Sequence, residues 1–300
     1  MALPELSFLL YINFWGALSL QSFITWSKRV ENEISTIYLV QRHTLRATPA
    51  GGTSPPFLQI MYFAPSLHAM FNLQQVENKI RSSDWWLKAA TTVDSHYCNS
   101  SGVMLTHHLL SVHENMANLF QQPEEGFYGN LFALVRHLQL DKQELEKELK
   151  VVALLHDIGK TSEDKSLVIP HPLTGKPAHK RHGLVSLMAA MEILATEFPV
   201  TPAKRNRIYR TIELHDMSYG LFREHRDTST TPSFEQWAKI NTKIHPLPGA
   251  GLLYLLLFKL ADTHGHDNIS DVLWFYQSVK VGYFDILEIT LPIPTETDIR

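Results

Sequence analysis

The sequence is short of cysteine and of net charge, and both shortages narrow what the protein can be. Its single cysteine, Cys98, excludes an intrachain disulfide and a zinc site built from several thiolates. A chain without disulfides suits a reducing compartment, so we expect a cytoplasmic protein. The formal net charge of -3 gives no overall basic field to attract nucleic acid or anionic membranes. A polyanionic substrate would therefore be held by local Lys, Arg and metal charge.

An uncharged stretch, residues 6–27, is the one candidate for a membrane span. A spanning helix needs about 20 mostly apolar residues, and this stretch has the length but is diluted by Asn13, Gln21 and several hydroxyl side chains. No positive residue precedes it, which argues against a signal peptide. We therefore expect a buried or docking helix and no stable membrane insertion. If the stretch did span, Lys28 and Arg29 would keep the rest of the chain cytoplasmic.

The first hundred residues are predicted to form an additional, mostly helical region of unknown role. Residues 1–45 have the pattern of one or two helices, and the Pro-, Gly- and Thr-rich stretch 44–56 indicates a linker or long loop. Another helix is predicted around 73–90, and a polar break then leads into the main domain. We place the N-terminal region at 1–100 and the main domain at 101–300.

A helical period dominates the main domain. Apolar residues recur every three or four positions over 103–121, which predicts an amphipathic helix. Asp141, with Glu144 three residues later, marks the N-cap of another helix, which we expect to end with Gly159 at its C′ position. Because the strand signal is weak throughout, the sequence predicts an all-α fold, a helical bundle. Its further helices are predicted over 127–139, 179–197, 201–219, 233–244 and 252–262, with a polar loop over 161–177.

Histidine is the residue that the sequence has in excess. There are 16 histidines, and many stand beside an aspartate or in helical register with another histidine. Histidine is the commonest metal ligand in proteins. His156 and Asp157 are adjacent, and adjacent side chains on a helix point about 100° apart, so both reach one ion only near a helix end. The pair stands directly before the expected end at Gly159, which favours a site for Mg, Mn, Fe or Zn.

The pair lies in the segment LLHDIGK, residues 154–160. This segment resembles the signature of the HD superfamily of metal-dependent phosphohydrolases. The pattern of that family is a His on one helix, the His-Asp doublet on a later one, one or two further histidines and a late Asp. The resemblance covers roughly residues 102–270 and implies an HD-type helical bundle.

The resemblance then identifies further ligands position by position. In the family's first helix a His stands four residues before a Val, which identifies His108, with His107 as the alternative. In a later helix a His is followed by a small residue four positions on and by apolar residues beyond it. That pattern identifies His182, with His179 as the alternative.

Two later positions extend the resemblance. An Ile three residues before a His identifies His215, although the frequent His-His pair of the family is here His215-Asp216. Ala261-Asp262 resembles the family's late Ala-Asp element, and a carboxylate at the C-terminal end of an apolar helix is unfavourable unless it has a partner. We assign the residues that follow to a solvated loop, namely His264, His266, Asp267 and Asp271.

The resemblance implies a site for one or two divalent metal ions. The first ion would be held by His108, His156, Asp157 and Asp262. His182 and His215 would hold a second ion, with Asp157 as the bridge. With one ion only, His182 and His215 would contact phosphate or donate a proton to the leaving group. Such ions lower the pKa of bound water toward ~7 and polarise a phosphoryl oxygen. The implied metal ligands are His108, His156, Asp157, His182, His215 and Asp262.

Nearby cationic side chains are the candidates for substrate binding. Lys160 would neutralise phosphate charge in the transition state, and Lys176, Lys180 and Arg181 could grip substrate phosphates. The resemblance thus implies an enzyme that cleaves phosphoester bonds with a metal-activated hydroxide. Its substrate would be a phosphorylated small molecule, a nucleotide or a single-stranded nucleic acid, so a phosphodiesterase or nuclease stands beside a nucleotidase. The acidic balance favours small substrates, because long nucleic acid backbones favour basic surfaces.

Two other functions stay open. A non-catalytic HD fold could sense nucleotides or bind a partner protein. Such a degenerate member is expected to lose at least one ligand position, whereas the set here is complete. A membrane-tethered signalling hydrolase would need residues 6–27 to span the bilayer.

Overall fold

The computed structural model shows a mostly helical protein. It describes residues 71–94, 103–170, 177–195, 200–264 and 269–299. The prediction of a mostly helical, all-α protein is confirmed for those residues. None of the helices in these ranges is long and apolar enough to cross a membrane, and the uncharged stretch 6–27 lies outside them.

The α-helices are numbered here in chain order. They are α1 Leu73–Arg81, α2 Asp84–Ala89, α3 Leu105–Phe120, α4 Gly126–His137, α5 Lys142–Leu155, α6 His182–Ile193, α7 Pro202–Leu214, α8 Met217–Thr228, α9 Phe234–Ile244, α10 Ala250–Thr263, α11 Ser270–Val279 and α12 Glu296–Ile299. Two 3₁₀ turns, Ile158–Thr161 and Lys165–Leu167, follow α5, and a π-helical turn, Lys280–Phe284, follows α11.

Several helix starts follow from capping side chains. Asp141 accepts hydrogen bonds from the backbone N–H groups of Gln143 and Glu144 and so caps α5. Thr201 caps α7, whose first residue is Pro202, a position where proline loses no hydrogen bond. Ser233 opens α9 with a complete capping box. These caps satisfy donors that a helix start leaves open.

The first described helices belong to the same compact unit as the rest. On α1, Val76 and Ile80 are buried, and α1 packs against α5. On α2, Trp86 and Ala89 are buried, and α2 packs against the turn after α5. The compact unit spans Pro65–Arg300, so the boundary expected at residue 100 falls inside it. The buried side chains of α1 and α2 account for the difference, because they belong to the same hydrophobic core as those of α3, α5 and α10.

The expected polar loop over 161–177 contains a short hairpin. Strand β1, Val168–Pro170, pairs antiparallel with β2, Pro177–His179. The pairing is three residues long and ends with Pro170 opposite Pro177, because proline has no N–H to extend a ladder. The hairpin ends three residues before His182, so it fixes the start of α6.

Two helices depart from the predicted pattern. The helix predicted over 201–219 ends at Leu214, and a separate helix, α8, begins at Met217. Ser218 is the one fully buried residue of α8, so this helix buries little of its surface against the bundle. Helix α11 was likewise not predicted, and Asp271, expected in a solvated loop, is buried on it.

Helix α10 is the centre of the bundle. Every residue from Ala250 to Ala261 is buried, and the helix packs against α3, α5, α7, α9 and α11. A helix that is apolar all round belongs in a core. Its two charged residues, Lys259 and Asp262, come in its last two turns. Charged chemistry is therefore confined to the C-terminal end of the central helix.

The junction between α9 and α10 depends on a close backbone approach at Gly251. A Cβ added there would lie 2.1 Å from the backbone oxygen of Asn241. The Asn241 side chain is buried, donates to the carbonyls of His245 and Leu247, and accepts from the N–H of Leu252. A side chain at position 251 would therefore push α10 away from α9.

We predict that Gly251→Ala lowers the free energy of unfolding by about 1–3 kcal/mol, the usual cost of overpacking a filled core. The matched control is Gly220→Ala on α8, where an added Cβ meets nothing within 4 Å. That change is expected to stabilise by about 0.4–1 kcal/mol, because alanine restricts the unfolded chain. Urea unfolding of both variants measures the difference, and equal effects would contradict the packing argument.

Candidate metal centre

Six side chains that are far apart in the sequence meet at one point of the bundle. His156 and His215 are the C-cap residues of α5 and α7, and Asp157 follows the first of them. His182 is the first residue of α6, and the other two ligand candidates come from α3 and from the end of α10. All are buried except Asp262, whose side chain is 14% exposed. The six are His108, His156, Asp157, His182, His215 and Asp262.

Four of these side chains form the first donor group. His108 Nε2 lies 3.2 Å from His156 Nε2, 3.3 Å from Asp157 Oδ2 and 3.7 Å from Asp262 Oδ1. His156 Nε2 lies 3.4 Å from Asp157 Oδ2 and 3.4 Å from Asp262 Oδ1. Nitrogen and oxygen atoms of four side chains therefore face one small volume.

The spacing of these atoms fits a metal ion. His108 Nε2 and His156 Nε2 lie 3.2–3.7 Å from each other and from the two carboxylate oxygens, which suits atoms that each lie about 2.1 Å from one shared ion, the length of a Zn–N or Zn–O bond. His108, His156 and Asp262 form one group of three that could hold an ion, and His156, Asp157 and His215 form another. Both groups combine imidazoles, which suit borderline metals, with carboxylates, which suit harder ones.

Asp157 connects the first donor group to a second. Its other oxygen, Oδ1, lies 3.1 Å from His182 Nε2 and 3.3 Å from His215 Nε2. These two nitrogens are 3.1 Å apart. The carboxylate thus turns one oxygen toward each pair of imidazoles. This is the arrangement that a carboxylate bridging two metal ions requires.

Backbone carbonyls orient three of the imidazoles. The Nδ1 atom of His156 donates to the carbonyl of Ala153, at 3.0 Å, and that of His215 donates to the carbonyl of Ile212, at 2.7 Å. Both acceptors lie among the last carbonyls of a helix, which have no partner within it. His182 Nδ1 donates in the same way to the carbonyl of His179, at 2.9 Å. Because its Nδ1 proton is donated to a carbonyl, each ring directs Nε2 to the centre; metal-bound histidines are oriented by the same kind of hydrogen bond.

Neighbouring carboxylates raise the pKa of two of the buried imidazoles. Burial lowers the pKa of His156, but Asp157 and Asp262 outweigh burial and raise it to about 10. Burial also lowers the pKa of His182, and Asp157 again outweighs it and raises that pKa. The pKa of His215 stays lowered by burial. Protons on two imidazoles thus neutralise the carboxylates from the positions that a cation would take.

Two buried lysines balance the carboxylates from outside the donor groups. Lys160 Nζ lies 2.5 Å from Asp157 Oδ2, and Lys259 Nζ lies 3.6 Å from Asp262 Oδ2. Lys259 is in turn 3.2 Å from Asp271 Oδ2. Burial would raise the pKa of Asp157, but Lys160 and the imidazoles hold it well below its usual range. The sequence analysis did not predict these contacts of Lys259 and Asp271. The i,i+3 spacing of Lys259 and Asp262 is the one local signal that indicates the pair of Lys259 with Asp262.

Gly159 has a different role from the one expected. It lies in the turn Ile158–Thr161 and lacks the left-handed backbone of a C′ glycine. An added Cβ would lie 2.5 Å from the His182 carbonyl oxygen and 2.5 Å from the Ser186 backbone nitrogen. The Gly159 N–H also donates to Ser186 Oγ, at 2.9 Å. The glycine therefore lets α6 approach the His156-Asp157 pair closely enough for His182 to reach it.

The alternative ligands and the exposed cationic residues predicted from the sequence lie outside the donor groups. His107 is exposed on α3, one residue from the buried His108. His179 contributes its backbone carbonyl, as described above. Lys180 and Arg181 are exposed directly before α6. Lys176 lies outside the described residues.

We predict that the metal-free chain loses stability as the pH rises from 7 to 9. The folded state keeps a proton on His156 up to a pKa of about 10, whereas the unfolded state releases it near 6.5. The free energy of unfolding should therefore fall by up to about 1.4 kcal/mol per pH unit for this group. Urea unfolding in chelator measures the slope. His156→Gln should flatten it, and equal slopes in the two proteins would refute the assignment.

Comparison with known proteins gives no relative from which a function could be transferred. No protein-family model, no curated protein and no solved structure matches the chain. What the site can do chemically therefore follows from its own donor atoms and from the sequence motif around His156 and Asp157.

Proposed function

We propose that the protein is a metal-dependent phosphohydrolase of the HD type, which cleaves phosphoester bonds in a nucleotide or nucleic acid. One observation carries the proposal, namely a buried carboxylate that faces two imidazole Nε2 atoms with each oxygen. A buried charge is costly unless it is paired or coordinates a metal. Divalent cations held by these residues would satisfy that requirement and would supply the Lewis acidity used in phosphoryl transfer.

The two donor groups are unequal, which bears on how many ions bind. The first offers four side-chain donors, from His108, His156, Asp157 and Asp262. The second offers three, from His182, His215 and the shared Asp157. A three-donor site keeps coordination positions open for water or substrate, as catalytic metal sites do. We therefore propose one tightly held cation and one more exchangeable cation, drawn from Mg, Mn, Fe or Zn.

The chain's own residues prepare the site for a phosphate. When bound, a divalent cation supplies an acidified water and a polarised phosphoryl oxygen. Lys160 and Lys259 keep the carboxylates of Asp157 and Asp262 oriented and reduce their negative charge beside an anionic substrate. Lys180 and Arg181, exposed before α6, are the residues we propose to attract the substrate's phosphates. If only the first group is filled, His182 and His215 would contact phosphate and hold or donate a proton at Nε2.

The charge of the chain favours a small substrate within this class. The net charge is -3, and a long nucleic acid backbone would be bound best by a basic surface. We therefore rank mononucleotides and cyclic nucleotides ahead of single-stranded RNA or DNA. The non-catalytic alternative, a nucleotide sensor or partner-binding module, predicts cation or nucleotide binding without turnover.

We predict that hydrolysis of bis-p-nitrophenyl phosphate requires Mn²⁺ or Mg²⁺ and depends on His108 and Asp157. His108→Ala and Asp157→Asn should each reduce turnover and cation affinity at least about 100-fold. Losing only a group that is hydrogen-bonded to a metal ligand already lowers metal affinity or activity about 10- to 100-fold. The matched control is His107→Ala, which changes an exposed imidazole one residue away and should leave both unchanged.

The same assay separates the alternatives. Metal analysis of the purified chain gives zero, one or two ions, and a screen of mononucleotides, cyclic dinucleotides and single-stranded RNA and DNA gives the substrate class. Bound cation with no hydrolysis of any of these would establish the sensor. Turnover that persists in chelator, or in Asp157→Asn, would refute the proposed enzyme.

A further inference from the structure

A buried polar network joins three helices well away from the donor groups. Arg207 on α7 donates to both oxygens of Glu148 on α5, from Nε at 2.7 Å and from Nη2 at 2.5 Å. Tyr254 on α10 donates from its hydroxyl to the same carboxylate, at 2.8 Å. Glu148 and Tyr254 are buried, and the Arg207 side chain is 16% exposed. We call these three residues the polar clamp.

Each member of the polar clamp lies eight residues before a metal-ligand candidate on its own helix. The pairs are Glu148 with His156, Arg207 with His215, and Tyr254 with Asp262. Eight residues of α-helix rise about 12 Å. The three helices therefore touch at two levels, once through the clamp and once through the donor groups. Contact at both levels requires that they run parallel in matching register.

We propose that the polar clamp is a positioning site for the metal centre, which fixes the register of α5, α7 and α10 so that His156, His215 and Asp262 converge. The inference rests on the proposed function in that the donor groups must bind cations. It adds three residues that do not touch the site and act through the helices that carry its ligands.

The physical need for such a device comes from the surfaces between these helices. Helices α5 and α10 pack against each other, and close in sequence to the clamp both carry buried aliphatic side chains such as Leu149, Val152 and Leu255. Aliphatic contacts are non-directional, so they tolerate small shifts along the helix axis. A shift of one residue would move a ligand by about 1.5 Å and turn it by about 100°, which destroys coordination. A bidentate Arg–carboxylate pair allows one relative position and so specifies the register.

Stability alone does not explain a buried ionic network at this position. Replacing a buried ion pair by well-packed apolar residues is often neutral or stabilising, because the charges no longer have to be desolvated. Burial also lowers the pKa of Arg207, but its hydrogen bonds to Glu148 outweigh burial and raise that pKa. The arginine therefore stays charged and keeps both bonds. Loss of positional precision, rather than loss of folding, is the expected effect of an apolar replacement.

The test compares stability with cation affinity in matched variants. In Glu148→Leu/Arg207→Met/Tyr254→Phe the whole clamp becomes apolar and no polar group is left orphaned. Arg207→Lys keeps the charge but loses the bidentate fork. The control is Lys204→Met. It removes the half-buried ion pair of Lys204 on α7 with Glu144 on α5, two of the three helices that the clamp joins. Urea unfolding and calorimetric titration with Mn²⁺ and Zn²⁺ are measured on each full-length chain.

We expect the triple variant to unfold near the wild-type midpoint, whereas its cation affinity falls about 10-fold or more, which is the low end of the loss seen when metal ligands are no longer held in place. Arg207→Lys should show a smaller loss, and Lys204→Met should bind as the wild type does. If the triple variant fails to fold, Arg207→Lys and the single change Tyr254→Phe decide the question. Unchanged affinity in the folded variants overturns the clamp alone. Absence of cation binding by the wild type overturns the proposed function and the clamp with it.

Discussion

The carboxylate of Asp157 is the group on which the rest of the centre depends. It is buried among four imidazoles, and a buried charge in an apolar bundle must be balanced at short range. Lys160 balances one oxygen directly, and protonated imidazoles balance the remainder in the metal-free chain. Divalent cations would replace those protons at the same positions. The site is therefore a set of donor atoms organised around one negative charge, which Lys160 and the imidazoles balance.

Helix ends supply the geometry that this charge requires. His156 and His215 stand where α5 and α7 stop, and the last carbonyls of those helices accept their Nδ1 protons. The same unpaired carbonyls that make a helix end polar thus orient two rings toward one point. Parallel packing of α5, α7 and α10 brings their C-terminal ends together, whereas α6 begins at the site with His182 as its first residue. The absent side chain of Gly159 allows that approach.

The bundle separates apolar support from polar chemistry along its central helix. Most of α10 is buried hydrocarbon, and its charges appear only where it reaches the centre. Lys259 and Asp271 extend the charge network outward from Asp262, so the donor groups sit inside a balanced set of charges rather than in bare hydrocarbon. A polar network in a core is tolerated when all its members are partnered. This arrangement separates folding, which the aliphatic surfaces drive, from alignment of the ligands, which the polar contacts govern.

Local sequence signals are enough to predict the helical class, several helix starts and a short list of ligand candidates. Capping at Asp141 and Thr201, and the apolar period of α3 and α10, are local signals that survive in the fold. Local signals could not predict α8, which buries little apolar surface, or the membership of α1 and α2 in the bundle. The role of Gly159, the Lys259–Asp271 pair and the contact of Glu148 with Tyr254 depend on residues that are distant in the chain. Only tertiary packing decides which helices meet and in what register, because periodicity shows that a face is buried but not against which partner.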